Sequence, residues 1–139
     1  METPNRPIPQ PITPEAKPYW DGLKEGKLML PKCEDCGKPF FYPRVFCPFC
    51  SSRRIGWIQV SGKGKIFSFT VIREVVGQAL RGFAPDIPYV TAWVDLDDGP
   101  RFCSNIIGCP IEKVHIDMPV EVVFEESGDG ITLPKFKPC

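Results

Sequence analysis

Four cysteines in two pairs constrain this chain more than any other feature: Cys33-Glu34-Asp35-Cys36 and Cys47-Pro48-Phe49-Cys50. Two residues lie inside each pair, and ten separate the pairs. A two-residue gap lets a tight knuckle turn aim both sulfurs at one point. Two such knuckles can close a tetrahedron around one metal ion. Gly37 follows Cys36 and tolerates the left-handed backbone that ends a knuckle; Ser51 follows Cys50 and is small enough for a similar turn. Backbone N–H groups in these turns can donate to the sulfurs and spread their charge. Four protein ligands leave no open position for water or substrate, so the expected metal is structural.

Two disulfides or free thiols are the alternatives. Two-residue gaps make poor structural disulfides, and no secretory signal points to an oxidising compartment. Zinc is the expected ion. Iron fits the same four sulfurs, so a rubredoxin-like iron centre stays open at this point, and the colour of the purified protein decides it.

A chain of 139 residues holds one modest domain or two very small ones. Hydrophobic residues make up 42%, enough for a core. Seventeen basic and 17 acidic side chains balance to zero, and four thiolates with one zinc ion would move the total to about −2. That balance gives no strong electrostatic footprint for duplex nucleic acid. No apolar run approaches the roughly 20 residues that cross a bilayer. A reducing cytoplasm, without a membrane partner, is the expected setting.

The expected fold is mainly β. Residues 1–17 form a proline-rich arm, since the first 18 residues hold six prolines and cannot continue a helix. Residues 18–31 carry a short N-terminal helix, with Tyr19, Trp20 and Leu23 at helical spacing and Gly22 and Gly26 weakening it. Its aromatic face needs a cover, either the metal module or a partner. Residues 32–56 form the zinc ribbon, with a short strand expected over Phe40, Phe41 and Tyr42. A module this small needs the metal to supply folding free energy. From Trp57 onward a period-two pattern predicts five strands, near 66–72, 89–96, 101–107, 120–125 and 131–136. Asp97-Asp98-Gly99 marks a hairpin turn. Five strands in about 80 residues suggest an OB-fold barrel over 57–139.

The residues offer no acid–base set. His115, the only histidine, lies in a segment that reads as a loop or short turn. Cys103, Cys109 and Cys139 remain after the metal is counted, and Cys109, between Gly108 and Pro110, is the most exposed candidate for reactivity. No phosphate loop, Rossmann fingerprint or nucleophile elbow is present. The insertion at 74–88 is long for a strand connection. It is either a functional loop or a lid over the barrel's own core.

Taken together, Tyr19-Trp20, Leu23, Gly26-Lys27-Leu28, Cys33-x-x-Cys36-Gly37, Pro43-Arg44, Cys47-Pro48-x-Cys50, Trp57, Gly62-x-Gly64 and Pro88-Tyr89 resemble a known family. It is the thiolase-associated family with a rubredoxin-like zinc ribbon followed by an OB-fold, long catalogued as a domain of unknown function. The resemblance covers residues 18 to about 137. It implies a non-catalytic accessory subunit of a thiolase-like complex acting on acyl-CoA by thiolysis, Claisen-type condensation or retro-aldol cleavage. Benzoylsuccinyl-CoA thiolase is one such complex. The partner would supply the catalytic residues, and this chain would complete the assembly and help bind CoA. For CoA phosphates and adenine, the candidates are Lys63, Lys65, Arg73, Arg81 and Phe83. The main alternative is a module binding single-stranded nucleic acid, suggested by a basic cluster of Arg53, Arg54, Lys63 and Lys65. A third is an enzyme acting alone through Cys109 and His115.

Overall fold

The computed structural model describes residues 12–77, 83–127 and 130–139. Pro14–Ala16 form a 3-10 turn that runs directly into α1, Lys17–Lys24. Pro14 and Pro18 occupy first turns, where a missing N–H breaks no helical bond. The helix ends before Gly26, whose φ of +73° is left-handed backbone. It is shorter than the expected 18–31, because Leu28–Cys33 is already strand β1. Helix and strand lie so close that a Cβ on Gly22 would sit 2.7 Å from Met29 Cγ.

β1 pairs antiparallel with β2, Ile55–Val60, from Leu28↔Val60 to Cys33↔Ile55. This two-stranded sheet carries both knuckles and includes Trp57. The strand expected over Phe40–Tyr42 does not form. Pro39 makes an isolated bridge to Lys32, and Phe40 N–H donates to the Pro31 carbonyl at 3.1 Å. Beyond that, Phe41 and Tyr42 turn their rings toward α1, and Pro43 has no N–H for a ladder.

The barrel has the five expected strands: β3 Lys63–Ile72, β4 Tyr89–Leu96, β5 Arg101–Ile106, β6 Pro119–Glu126 and β7 Thr132–Pro138. They close in the order β3-β4-β5-β7-β6. Ile66, Val94, Phe102, Val120 and Phe136 are fully buried inside. A bulge between Ile66 and Ser68 shifts the β3–β4 register. The seam between β5 and β7 is the thinnest, a parallel contact with one registered pair, Ile106↔Phe136. At the opposite extreme β3 and β4 are in such close contact that a Cβ on Gly64 would lie 2.4 Å from the Asp95 carbonyl oxygen.

The aromatic face of α1 is covered within the chain. Tyr19, Trp20 and Leu23 are buried. Tyr19 packs against Phe41 at 5.7 Å, Tyr42 at 5.8 Å and Phe102 of β5 at 6.4 Å between ring centroids. Phe41 reaches Phe102 at 4.2 Å, and Phe102 reaches Phe136 at 5.9 Å. Trp20 Nε1–H donates to Tyr42 Oη at 3.0 Å. Rings of the ribbon, the helix and the barrel thus form one continuous stack. The helix is a joint between the two modules, not a free docking face.

Two expectations follow for stability. Trp20→Phe and Tyr42→Phe each lose about 1 kcal/mol in urea unfolding, and the double variant loses less than the sum, because one hydrogen bond is removed in all three. Gly64→Ala lowers stability by about 1–3 kcal/mol, since the clash is with backbone that cannot swing away.

Candidate metal centre and outer cleft

The knuckles repeat one hydrogen-bond plan. Cys33 N–H donates to Lys38 O at 3.1 Å, and Gly37 N–H returns to Cys33 O at 2.9 Å. Cys47 N–H donates to Ser52 O at 2.8 Å, and Ser51 N–H returns to Cys47 O at 2.9 Å. Both turns need left-handed backbone, supplied by Gly37 at φ +75° and Ser51 at φ +65°. The plan brings the four sulfurs within 4.8 Å of one another. Cys33 Sγ lies 3.6 Å from Cys50 Sγ, and Cys36 Sγ lies 3.6 Å from Cys47 Sγ. A Zn–S length of about 2.3 Å puts tetrahedral sulfurs about 3.8 Å apart, so the donor set fits.

Charge points the same way. The Cys36 N–H, 3.4 Å from Cys33 Sγ, is the largest influence on Cys33, whose thiol sits at about 6. The Ser52 N–H favours the Cys50 thiolate, but Cys33, burial and the other two sulfurs outweigh it and push Cys50 up to about 12. The cluster therefore resists carrying four negative charges until a cation replaces its protons. The surrounding residues tie the knuckles together. Asp35 accepts from the Ser52 hydroxyl and from Arg54 Nη1, Arg54 also pairs with Glu34 at 3.5 Å, and Glu34 N–H donates to Arg54 O at 2.8 Å. Arg54 is thus engaged within the ribbon, and Arg53 stacks over Phe46 at 4.6 Å. Two of the four cations in the sequence's basic cluster have local partners.

The second feature is a cleft of about 230 Å³ on the outside of the barrel. Residues 83–86 form a 3-10 turn that, with Pro88 and Tyr89, makes one wall. Ile106, Ile107 and Ile111 make the other. The floor is polar and lies at the β5–β7 seam. Phe136 fills the barrel interior, so its neighbour Lys135 points outward, yet Lys135 is only 5% exposed. Lys135 Nζ donates to Asn105 Oδ1 at 2.6 Å and lies 3.7 Å from Glu125 Oε2. Asn105 Nδ2 in turn donates to the carbonyl of Val90 at 3.0 Å and to Thr91 Oγ1 at 3.3 Å. Residues 83–88 of the insertion are therefore a cover laid against the barrel's outer face at the seam.

Of the five residues expected at CoA phosphates and adenine, the four described ones are not gathered in one place. Lys63 and Lys65 are exposed at the start of β3, opposite Glu121 and Asp95 in register. Arg73 follows the other end of β3, about 26 Å from Lys65 at a rise of about 3.3 Å per residue. Phe83 lines the cleft, and Arg81 lies outside the described residues. Cys109 also lines the cleft, whereas His115 is exposed and bonds the Lys113 carbonyl through Nδ1 at 2.8 Å. Burial raises the Cys103 thiol above its ordinary range. Sequence reasoning missed Asn105 and Lys135. Their only signal was a lysine beside a buried phenylalanine in a strand, which reads as an ordinary solvent-facing position. No helix among the described residues is long and apolar enough to cross a membrane.

Family models match both parts: the ChsH2 rubredoxin-like zinc ribbon over residues 20–56 and the ChsH2 C-terminal OB-fold domain over 57–125. A DUF35 domain-containing scaffold protein of Methanocaldococcus jannaschii is 35% identical over 127 residues, covering 86% of this chain and 87% of that protein. The benzoylsuccinyl-CoA thiolase subunit BbsA of Geobacter metallireducens is 31% identical over 91 residues, covering 66% of this chain and 57% of its own length. Among solved structures, a chain of an Ltp2-ChsH2(DUF35) aldolase superimposes with a TM-score of 0.79 at 28% identity, covering 94% of this chain and 98% of that one.

Metal analysis of the purified protein is expected to give one zinc per chain and no colour. Cys47→Ser, which removes a buried ligand, is expected to lose the metal and the ribbon's protection from proteolysis; full metal retention would show that the four sulfurs do not act as one site.

Proposed function

Because the chain belongs to the DUF35 family, built from a rubredoxin-like zinc ribbon and an OB-fold, we propose that it is a non-catalytic accessory subunit of a thiolase-like complex that processes acyl-CoA. The observation that carries this reading is the closed four-sulfur cluster beside a barrel whose one histidine is turned to solvent. Such a chain brings a rigid scaffold, and its histidine is not set in a cleft. Relatives named as a scaffold, as a thiolase subunit and as part of an aldolase support the same assignment. The reaction of the complex is cleavage or formation of a carbon–carbon bond next to a thioester: thiolysis, Claisen-type condensation or retro-aldol cleavage.

The metal is zinc, held by Cys33, Cys36, Cys47 and Cys50, and its role is to hold the ribbon together. The acyl-CoA contact lies at the end of β3 that carries Arg73 and, across the register from Ile72, Tyr89 of the cleft. Arg73 and Arg81 are the proposed phosphate contacts, with Phe83 nearby in sequence. Lys63 and Lys65 stand at the other end of the strand, far from Arg73, across from Glu121 and Asp95, which Lys137 and Arg101 engage.

The test is affinity capture of the tagged chain from its native cell, with partners identified by mass spectrometry. A stoichiometric thiolase-like or aldolase-like subunit, whose activity falls when this chain is withheld, is the expected result. Recovery as a lone monomer, or salt-sensitive recovery with nucleic acid, overturns the proposal. In the assembled complex, Arg73→Ala and Arg81→Ala are each expected to weaken acyl-CoA binding about tenfold, and Lys63→Ala to leave it unchanged.

A further inference from the structure

The cleft at the β5–β7 seam has a size, a shape and a charge balance that select among the parts of an acyl thioester. We infer that it is an acyl-recognition pocket, which takes one ring-sized, uncharged, apolar group and leaves the carrier's nucleotide outside. The identity of the carrier rests on the acyl-CoA reading above; the pocket's selectivity does not.

Size sets the upper bound. An apolar cavity of about 150 Å³ already holds a benzene molecule. Pockets for drug-sized ligands begin at about 300 Å³. A volume of about 230 Å³ therefore holds one ring with a short link, and not an adenine nucleotide with its arm.

The walls set the shape. Phe83 and Tyr89 have ring centroids 5.5 Å apart, tilted by 31°, and face Ile106, Ile107 and Ile111. A flat apolar group between these surfaces gains both burial and ring contact. A shallow groove continues from the cleft past Thr91, Cys103 and Ser104, sharing Phe83, Tyr89 and Asn105 with it. A thin linker leaves by that path.

The floor sets the charge. Among the described lining residues, the only cation is Lys135, set against Asp86 and Glu125. Lys135 is already engaged by Asn105 and Glu125. A phosphate would meet more negative than positive charge here. An uncharged apolar group, in contrast, leaves intact the bonds of Asn105 to Val90 and Thr91 and of Lys135 to Asn105.

The experiment is calorimetric titration of the full-length, metal-loaded chain with the benzoyl thioester of N-acetylcysteamine, using the acetyl thioester and free CoA as companions. Saturable one-to-one binding of the benzoyl thioester, at least tenfold tighter than the acetyl one and undisturbed by free CoA, is expected. Phe83→Ala and Ile111→Asn should each weaken it at least tenfold at unchanged metal content and melting temperature. Absence of saturable binding, equal binding of the acetyl thioester, displacement by CoA, or wild-type affinity in both variants overturns the inference. The titration needs no partner, so its failure leaves the accessory-subunit reading intact, and a failed capture leaves the pocket intact.

Discussion

Phe102 is where the molecule is held together. Its ring is fully buried, and it touches Phe41 from the ribbon loop, Tyr19 from the helix and Phe136 from the neighbouring strand β7. A metal module of this size has little core of its own, and a five-stranded barrel leaves its ends open. Stacking the rings of three parts into one apolar body solves both problems, because each ring covers surface that its own module cannot. The metal then holds the ribbon's shape so that Phe41 and Tyr42 arrive at the right place. Loss of the metal and loss of the joint are thus coupled through the same side chains.

This arrangement separates tasks within the chain. The metal centre is closed by four protein sulfurs and braced by Asp35, Ser52 and Arg54. The helix is consumed in the joint. A cleft open to a ligand lies on the barrel's outer face at the β5–β7 seam, where the ladder is one residue pair long and the 83–88 segment closes over the gap. A weak seam in a barrel is a place where backbone pairing gives way to side-chain chemistry, and here that chemistry is the Thr91–Asn105–Lys135–Glu125 network. Such a network makes a polar floor under an apolar cleft.

The nucleic-acid alternative weakens for a related reason. Its basic cluster looks contiguous in sequence, but folding engages Arg54 with two carboxylates and lays Arg53 on Phe46, which leaves Lys63 and Lys65 as the exposed pair. A backbone-tracking groove needs cations whose charge is not already balanced by neighbours.

The sequence by itself determined the metal site, the barrel's five strands and the helix's apolar face. Each is a local rule: cysteine spacing, period-two alternation, and three large side chains on one helical turn. It also carried the family motifs. Only the tertiary structure decided what covers Tyr19 and Trp20, that Phe40–Tyr42 make contacts in place of a strand, and that Lys135 is buried. Those facts depend on surfaces brought together across long stretches of chain. Lys135 shows the reason most clearly. Its strand pattern puts it on the outer face, and no local rule says that a segment some fifty residues earlier in the chain will be laid over that face. The same long-range packing separates Lys63 and Lys65 from Phe83, residues that lie close in sequence only until a ten-residue strand is drawn out between them.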